Sequence, residues 1–312
     1  MAKLLCIGEV IVEMVAEKVG QAADTAGNWV GPFASGAPAI LADQAALCGA
    51  DVAIVGTVGA DAFGDCCLNK LRADGVNIEH VAVDRERSTG VAFVRYFEDG
   101  SRSFIYHIAD SASGAIGLGD ADRALEGIDC VHIMGSSAFS HEAANTLVAL
   151  SKAADDRGIA VSFDPNIRKE MLNDPDFVEA LRGILDRSSI VLASEGELPI
   201  LMDVEGDLAG ARALLAAAAK IVVLKRGPKG SMLLLPGAEP VELPSRDVKV
   251  VDPTGAGDCF GGTFLALHLQ GWDPVEAARY ATLAGELSVQ VRGPMTGNRS
   301  VAALREHMES AE

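Results

Sequence analysis

Apolar residues run along this chain in two rhythms. Short unbroken stretches, Leu4–Ile7, Val52–Val58, Cys130–Met134, Ile159–Phe163, Ile190–Leu192 and Ile221–Leu224, have the length and β-branched character of buried strands. Between them the apolar positions recur with helical spacing, in Ala37–Leu47, Phe63–Ala73, Glu142–Asp155, Phe177–Leu185 and Leu208–Ala219. A strand that is apolar on both sides needs cover on both faces, so the alternation predicts a largely parallel sheet between two layers of helices. After Ser231–Leu235 the pattern turns helical, in Cys259–Leu269 and Pro274–Val291.

One region departs from this rhythm. Thr89–His107 alternates in side-chain type on either side of Glu98–Ser101 ("EDGS"), which reads as an antiparallel hairpin, and Val10–Val15 is a second extended stretch. Together they predict a small β-rich lid, from segments near 10–34 and 88–108, inserted in a single unit spanning 1–312. Of Arg95, Tyr96, Arg102 and Tyr106 on the hairpin, strand alternation sends half to solvent. Arg95 shares a face with Phe93 and Phe97, which is expected to be buried or to cover a ligand. His107 and His132 read as structural histidines.

Composition narrows the partners. A formal net charge of −18 repels nucleic acid and anionic membrane, so neither is expected. The apolar run at Met1–Met14 is cut by Glu9 and is too short for a signal peptide, and no run approaches the ~18 apolar residues that span a bilayer. The six cysteines have no C-x-x-C spacing and read as reduced thiols of a cytoplasmic protein. "HEAAN" at His141 lacks the second histidine of a zinc helix. There is no P-loop and no G-x-S-x-G elbow, and "GLGDAD" (Gly117–Asp122) puts Asp122 where a dinucleotide fingerprint needs glycine.

The stretch with the most chemistry is "VVDPTGAGDCFGGTF", Val250–Phe264. Pro253 restricts φ, Gly255 and Gly257 permit unusual backbone, and Phe260, Thr263, Phe264 and Leu267 follow with helical spacing. Such a turn aims free N–H groups and the positive end of a helix dipole at one point, a place for an anion. Asp258 at the same helix start is placed to accept a proton from an attacking hydroxyl. Asp258 or Thr254 reads equally well as a helix cap. The stretch alone leaves both readings open.

"DPTGAGDCFGGTF" resembles the C-terminal signature of the ribokinase-like (PfkB) carbohydrate kinases, and further matches follow in order along almost the whole chain. "CIGEVIVEM" (Cys6–Met14) is similar to the family's first strand, "SGAPAILADQAALCG" (Ser35–Gly49) to G-G-A-x-x-N with its helix, and "VGTVGADAFGD" (Val55–Asp65) to V-G-x-D-x-[FG]-G. "FDPNIR" (Phe163–Arg168), "SEGE" (Ser194–Glu197) and "LKRGPKG" (Leu224–Gly230) resemble the D-x-N-x-R, N-x-x-E and [TK]-x-G-x-x-G segments. Ser35 stands for the first glycine, Ile40 for the asparagine and Ser194 for the asparagine of N-x-x-E.

The resemblance implies a three-layer α/β/α body with a mostly parallel sheet and a small β-sheet lid. It implies Asp258 as catalytic base, Gly255, Ala256 and Gly257 as anion hole, and Asp252 and Thr254 as ligands of a monovalent cation such as K⁺. Glu13, Ser35, Gly36, Ala37, Asn166 and Arg168, with Arg95 and Tyr106 of the lid, would contact the sugar, and Asp164 would organise the site. Ser194, Lys225, Gly227 and Gly230 would contact ATP, and Glu197 would act on Mg²⁺ through water. The activity implied is transfer of the γ-phosphoryl group of ATP to the primary hydroxyl of a ketohexose, because Ser-Gly-Ala-Pro-Ala-Ile resembles tagatose kinases and D-P-N-I-R is similar to the segment of the fructokinase and 2-keto-3-deoxygluconate kinase branches. A 2-keto-3-deoxygluconate kinase and a catalytically silent sugar-binding regulator are the alternatives. Edge strands of the lid imply a homodimer through Val91–Tyr106.

Overall fold

The structure, a computed structural model, describes residues 2–117 and 121–310, so part of the "GLGDAD" segment lies outside the described residues. Nine strands form the large sheet: β1 (Lys3–Ile7), β4 (Asp51–Gly59), β5 (Val81–Asp84), β8 (Cys130–Met134), β9 (Ala160–Asp164), β10 (Ile190–Ser194), β11 (Ile221–Lys225), β12 (Ser231–Leu234) and β13 (Val241–Leu243). Their order is β13-β12-β11-β10-β9-β8-β1-β4-β5. Pairing is parallel from β5 to β11 and antiparallel at β12 and β13.

Both faces of this sheet are buried, as its apolar strands require. Leu4 and Cys6 of β1 point into one core, with α1 (Ala37–Leu47), α2 (Ala62–Ala73), α8 (Ala256–Leu269), α9 (Pro274–Ser288) and α10 (Val301–Glu309). Leu5 and Ile7 point into the other, with α3 (Ala121–Ala124), α4 (His141–Asp155), α5 (Pro175–Leu185), α6 (Glu197–Met202) and α7 (Asp207–Ala217). The result is the three-layer body that the motifs imply.

A second sheet of four strands has the order β3-β2-β6-β7, from β2 (Ile11–Ala16), β3 (Trp29–Ser35), β6 (Val91–Tyr96) and β7 (Arg102–His107). The hairpin expected within Thr89–His107 is β6 and β7, paired antiparallel from Val91↔His107 to Tyr96↔Arg102. The strand β2 joins the hairpin in parallel, Glu13 lying beside Ala92.

Some elements escaped the pattern reading. Gly31 and Pro32 interrupt the alternation of β3. The strands β5 and β13 are short and half-exposed, and α10 buries only Leu304. The helix at Pro274 ends at Ser288, three residues short of the expected Val291.

Candidate active site

From β1 the chain moves outward to β4 and β5, then returns to the other side of β1 as β8 and continues through β9, β10 and β11. Strand order therefore reverses between β1 and β8, and doubly wound sheets open a crevice beyond the carboxyl ends of strands at such a point. A cavity of about 1010 Å³ opens there, walled by strand ends, the small sheet and the start of α8.

Gly255 caps α8 with φ of 83°, a left-handed conformation that favours glycine. A Cβ at this position would lie 2.9 Å from the Pro294 carbonyl oxygen and 3.2 Å from Cγ2 of Ile40. Among the described residues no side chain caps the helix, so the first-turn amides of Ala256, Gly257 and Asp258, all cavity-lining residues, lack a side-chain acceptor there. The capping role left open for Asp258 and Thr254 is thus not the one observed. Among the described residues nothing donates to the Asp258 carboxylate. Burial, then the like charge of Asp164, pushes its pKa up to about 7.

Beneath the turn lie the ends of β9, β10 and β11. Lys225 pairs with the buried Asp164, and its ammonium comes within 3.3 Å of where a Gly257 Cβ would stand. Burial works against the Lys225 charge, but Asp164 and Glu197 outweigh it and hold the pKa above its ordinary value. Glu197 is turned toward backbone: Oε1 accepts the Ile167 amide at 2.8 Å and Oε2 the Ser194 amide at 2.6 Å. Both oxygens already carry a hydrogen bond, so this donor fits a metal-bound water better than a direct metal bond. Gly227 and Gly230 are not cavity residues. They form the tight turn after β11, with positive φ at both and Gly230 accepting from the Arg226 amide at 2.8 Å.

At the opposite end, Glu13 of β2, Ala92 of β6 and Tyr106 of β7 form one row across the small sheet and face the cavity. Glu13 is 2% exposed; its Oε2 accepts the Ser35 hydroxyl at 3.3 Å, and its Oε1 has no partner. Burial, then the charge of Asp252, raises its pKa to about 8. Gly36 starts α1, and the Ala37 amide donates to Glu9 Oε1 at 3.2 Å. Ser35, Gly36, Ala37, Asn166, Arg168, Ser194 and Lys225 all line the cavity. Asn166 is held at a left-handed φ of 39° by its amide bond to Asp164.

Arg95 corrects an expectation. Alternation puts Ala92 and Tyr96 on the cavity side of β6, so Arg95 points to the opposite face, where its guanidinium lies over the Phe97 ring at 5.3 Å. The cavity cation on the hairpin is Arg102 of β7, which lies opposite Tyr96. Asp252 and Thr254 adjoin the glycine turn, but Tyr96, Arg102 and two backbone amides already occupy their side-chain oxygens.

Two further polar residues were not anticipated as site groups. Glu9, immediately after β1, lines the cavity and also accepts the Ser137 hydroxyl at 2.5 Å. An acid inside an apolar run was the available signal. Ser136, just after β8, lines the cavity with a buried hydroxyl that has no partner.

The pfkB family carbohydrate kinase model matches residues 1–300. The chain belongs to that family. The 2-dehydro-3-deoxygluconokinase of Thermoproteus tenax is 31% identical, the match covering 99% of this chain and 94% of that protein. The fructokinase-2 of Zea mays is 27% identical over 99% of this chain and 94% of its own length. A candidate ribokinase II from E. coli, solved in complex with ATP and Mg²⁺, superimposes with a TM-score of 0.92 at 39% identity, covering 99% of this chain and all of that one (100%). The protein is a carbohydrate kinase of ribokinase-like fold.

Proposed function

We propose that the protein transfers the γ-phosphoryl group of ATP to the primary hydroxyl of a ketohexose of the tagatose or fructose type. The observation that carries this reading is Asp258, a buried carboxylate to which nothing donates among the described residues, at the glycine-led start of α8 and opening into one cavity with Glu13, whose Oε1 has no partner among them. The Asp258 carboxylate takes the proton of the sugar hydroxyl. The alkoxide oxygen then bonds to the γ-phosphorus as the bond from phosphorus to the β,γ-bridging oxygen breaks, and ADP leaves with that electron pair. Amides at Gly255–Gly257 and the Lys225 ammonium stabilise the equatorial oxygens during transfer. Mg²⁺ bound with the nucleotide would neutralise phosphate charge, with Glu197 holding one of its waters. Glu13 accepts hydroxyls at the far end of the sugar. The small sheet, from segments near 10–34 and 88–108, excludes water as the lid of a single kinase unit.

A sugar acid is the second reading, favoured by two guanidinium groups, Arg102 and Arg168, on the cavity wall. An ADP-release assay over ketohexoses, pentoses, nucleosides and sugar acids tests both, with Arg168→Ala as a second arm. Turnover of a ketohexose by both proteins supports the first reading. Turnover confined to the acid, and lost in Arg168→Ala, replaces it with the second. The six free cysteines, five of them buried, suit a reducing cytoplasm. The exposed edge β7, with Ile105 at 42% exposure, suits a homodimer through the lid, which a monomeric mass in light scattering would reject.

A further inference from the structure

We propose that Tyr96 is a positioning residue of the phosphoryl-transfer site, a hydroxyl carried by the lid that anchors the anion turn where a monovalent cation was expected. This rests on reading Gly255–Gly257 as the phosphate hold.

Tyr96 ends β6, and its hydroxyl donates to Asp252 Oδ1 while lying 3.3 Å from the Thr254 hydroxyl. The same Oδ1 accepts the Thr254 amide at 2.9 Å, and Oδ2 accepts the Gly293 amide at 2.9 Å. Asp252 is 1% exposed, so three protein donors, not solvent, satisfy its charge. Arg102 Nη1 sits 3.2 Å from Thr254 Oγ1. A cation seeking these oxygens would displace a phenol and sit beside a guanidinium, which repels it. The side-chain oxygens of the pair do not fit a monovalent cation.

The small sheet also touches the loop on the other side of the turn. Arg292 donates to the Glu17 carbonyl at 3.4 Å, and the Phe33 ring lies so near Gly293 that a Cβ there would come within 2.7 Å of Cδ1. The lid therefore grips both loops that meet at the turn, at 252–254 and at 292–293. Thr254, whose amide depends on Asp252, directly precedes Gly255. Tyr96 thus ties the final shape of the turn to the lid being down over the sugar. The phosphate hold is completed only when an acceptor is enclosed, which keeps water from taking the phosphoryl group.

The test compares the purified enzyme and Tyr96→Phe, each in K⁺ and in tetramethylammonium at equal ionic strength. The unaltered enzyme is expected to give the same kcat in both ions. Tyr96→Phe should lose about tenfold in kcat with sugar KM little changed, because a loosened turn mispositions phosphate and not sugar. Hydrogen exchange at the Thr254 and Gly293 amides should quicken in the variant while β1 and β8 keep their protection. A kcat in the unaltered enzyme that rises more than about fivefold with K⁺, or a Tyr96→Phe protein with undiminished kcat, overturns the proposal. An unaltered enzyme that phosphorylates no sugar in either ion fails the earlier reading instead.

Discussion

The two ends of the cavity are built differently. The end proposed to hold phosphate is made of backbone and of paired buried charge: a glycine turn, the Lys225–Asp164 ion pair, and Glu197 spent on two amides. Little there depends on which acceptor arrives. The end proposed for the sugar is made of side chains on a thin sheet, and Glu13 there leaves Oε1 without a partner among the described residues. A buried polar atom without a partner costs stability and persists where a ligand completes it. The first end keeps the same groups whichever acceptor is enclosed, and the second is completed by the acceptor itself. Ile40 joins them: it lines the cavity and touches the space beside Gly255, and its side chain offers no hydrogen bond.

Substitutions separate these ends. Of the substitutions that tell the two ends apart, Gly255→Ala has the largest expected effect. It forces a side chain into φ of 83° and against the Pro294 carbonyl, which should cost about 1–3 kcal/mol in denaturant unfolding. The shifted turn should lower kcat about a hundredfold for every acceptor. A Gly255→Ala enzyme equal to the unaltered one would mean the turn is not a rigid phosphate hold. Glu13→Gln comes next, with an expected rise of about tenfold in sugar KM and little change in ATP KM. An equal rise in ATP KM would place Glu13 at the wrong end. Arg95→Ala should be smallest, within about twofold in kcat/KM, since its guanidinium lies on the face away from the cavity. A larger loss would show that the opposite lid face serves catalysis.

The glycine turn was legible in the sequence because it is one contiguous stretch. Its glycines, proline and aspartate carry their geometry locally. The central strands were equally plain, since their unbroken apolar runs reflect burial on both faces, and the nearly all-apolar α1 is buried from Ala37 to Ala45. The sugar end was harder. Alternation in β6 separates Arg95 from Tyr96, but only the tertiary arrangement decides which parity meets the cavity. The contact between Tyr96 and Asp252 joins residues far apart in the chain, and no local signal announces it. The strand β3 was hidden by its Gly31–Pro32 break.

The Asp258 carboxyl also links activity to stability through pH. Its folded pKa of about 7 lies above the ordinary 3.8, so the native state retains a proton that the unfolded chain has lost between these values. Its contribution to stability is full below that window and is lost as pH rises through about 7. Catalysis runs the opposite way, because only the ionised carboxylate accepts a proton. The most direct measurement is therefore the pH dependence of kcat/KM for the unaltered enzyme and for Asp258→Asn, read beside thermal melting at pH 8. The account predicts a rate that climbs through an apparent pKa near 7 in the unaltered enzyme. It predicts a loss of about 10³-fold in Asp258→Asn, with a melting temperature raised by ~2 °C or more. An Asp258→Asn enzyme that keeps the full rate across that range would contradict it.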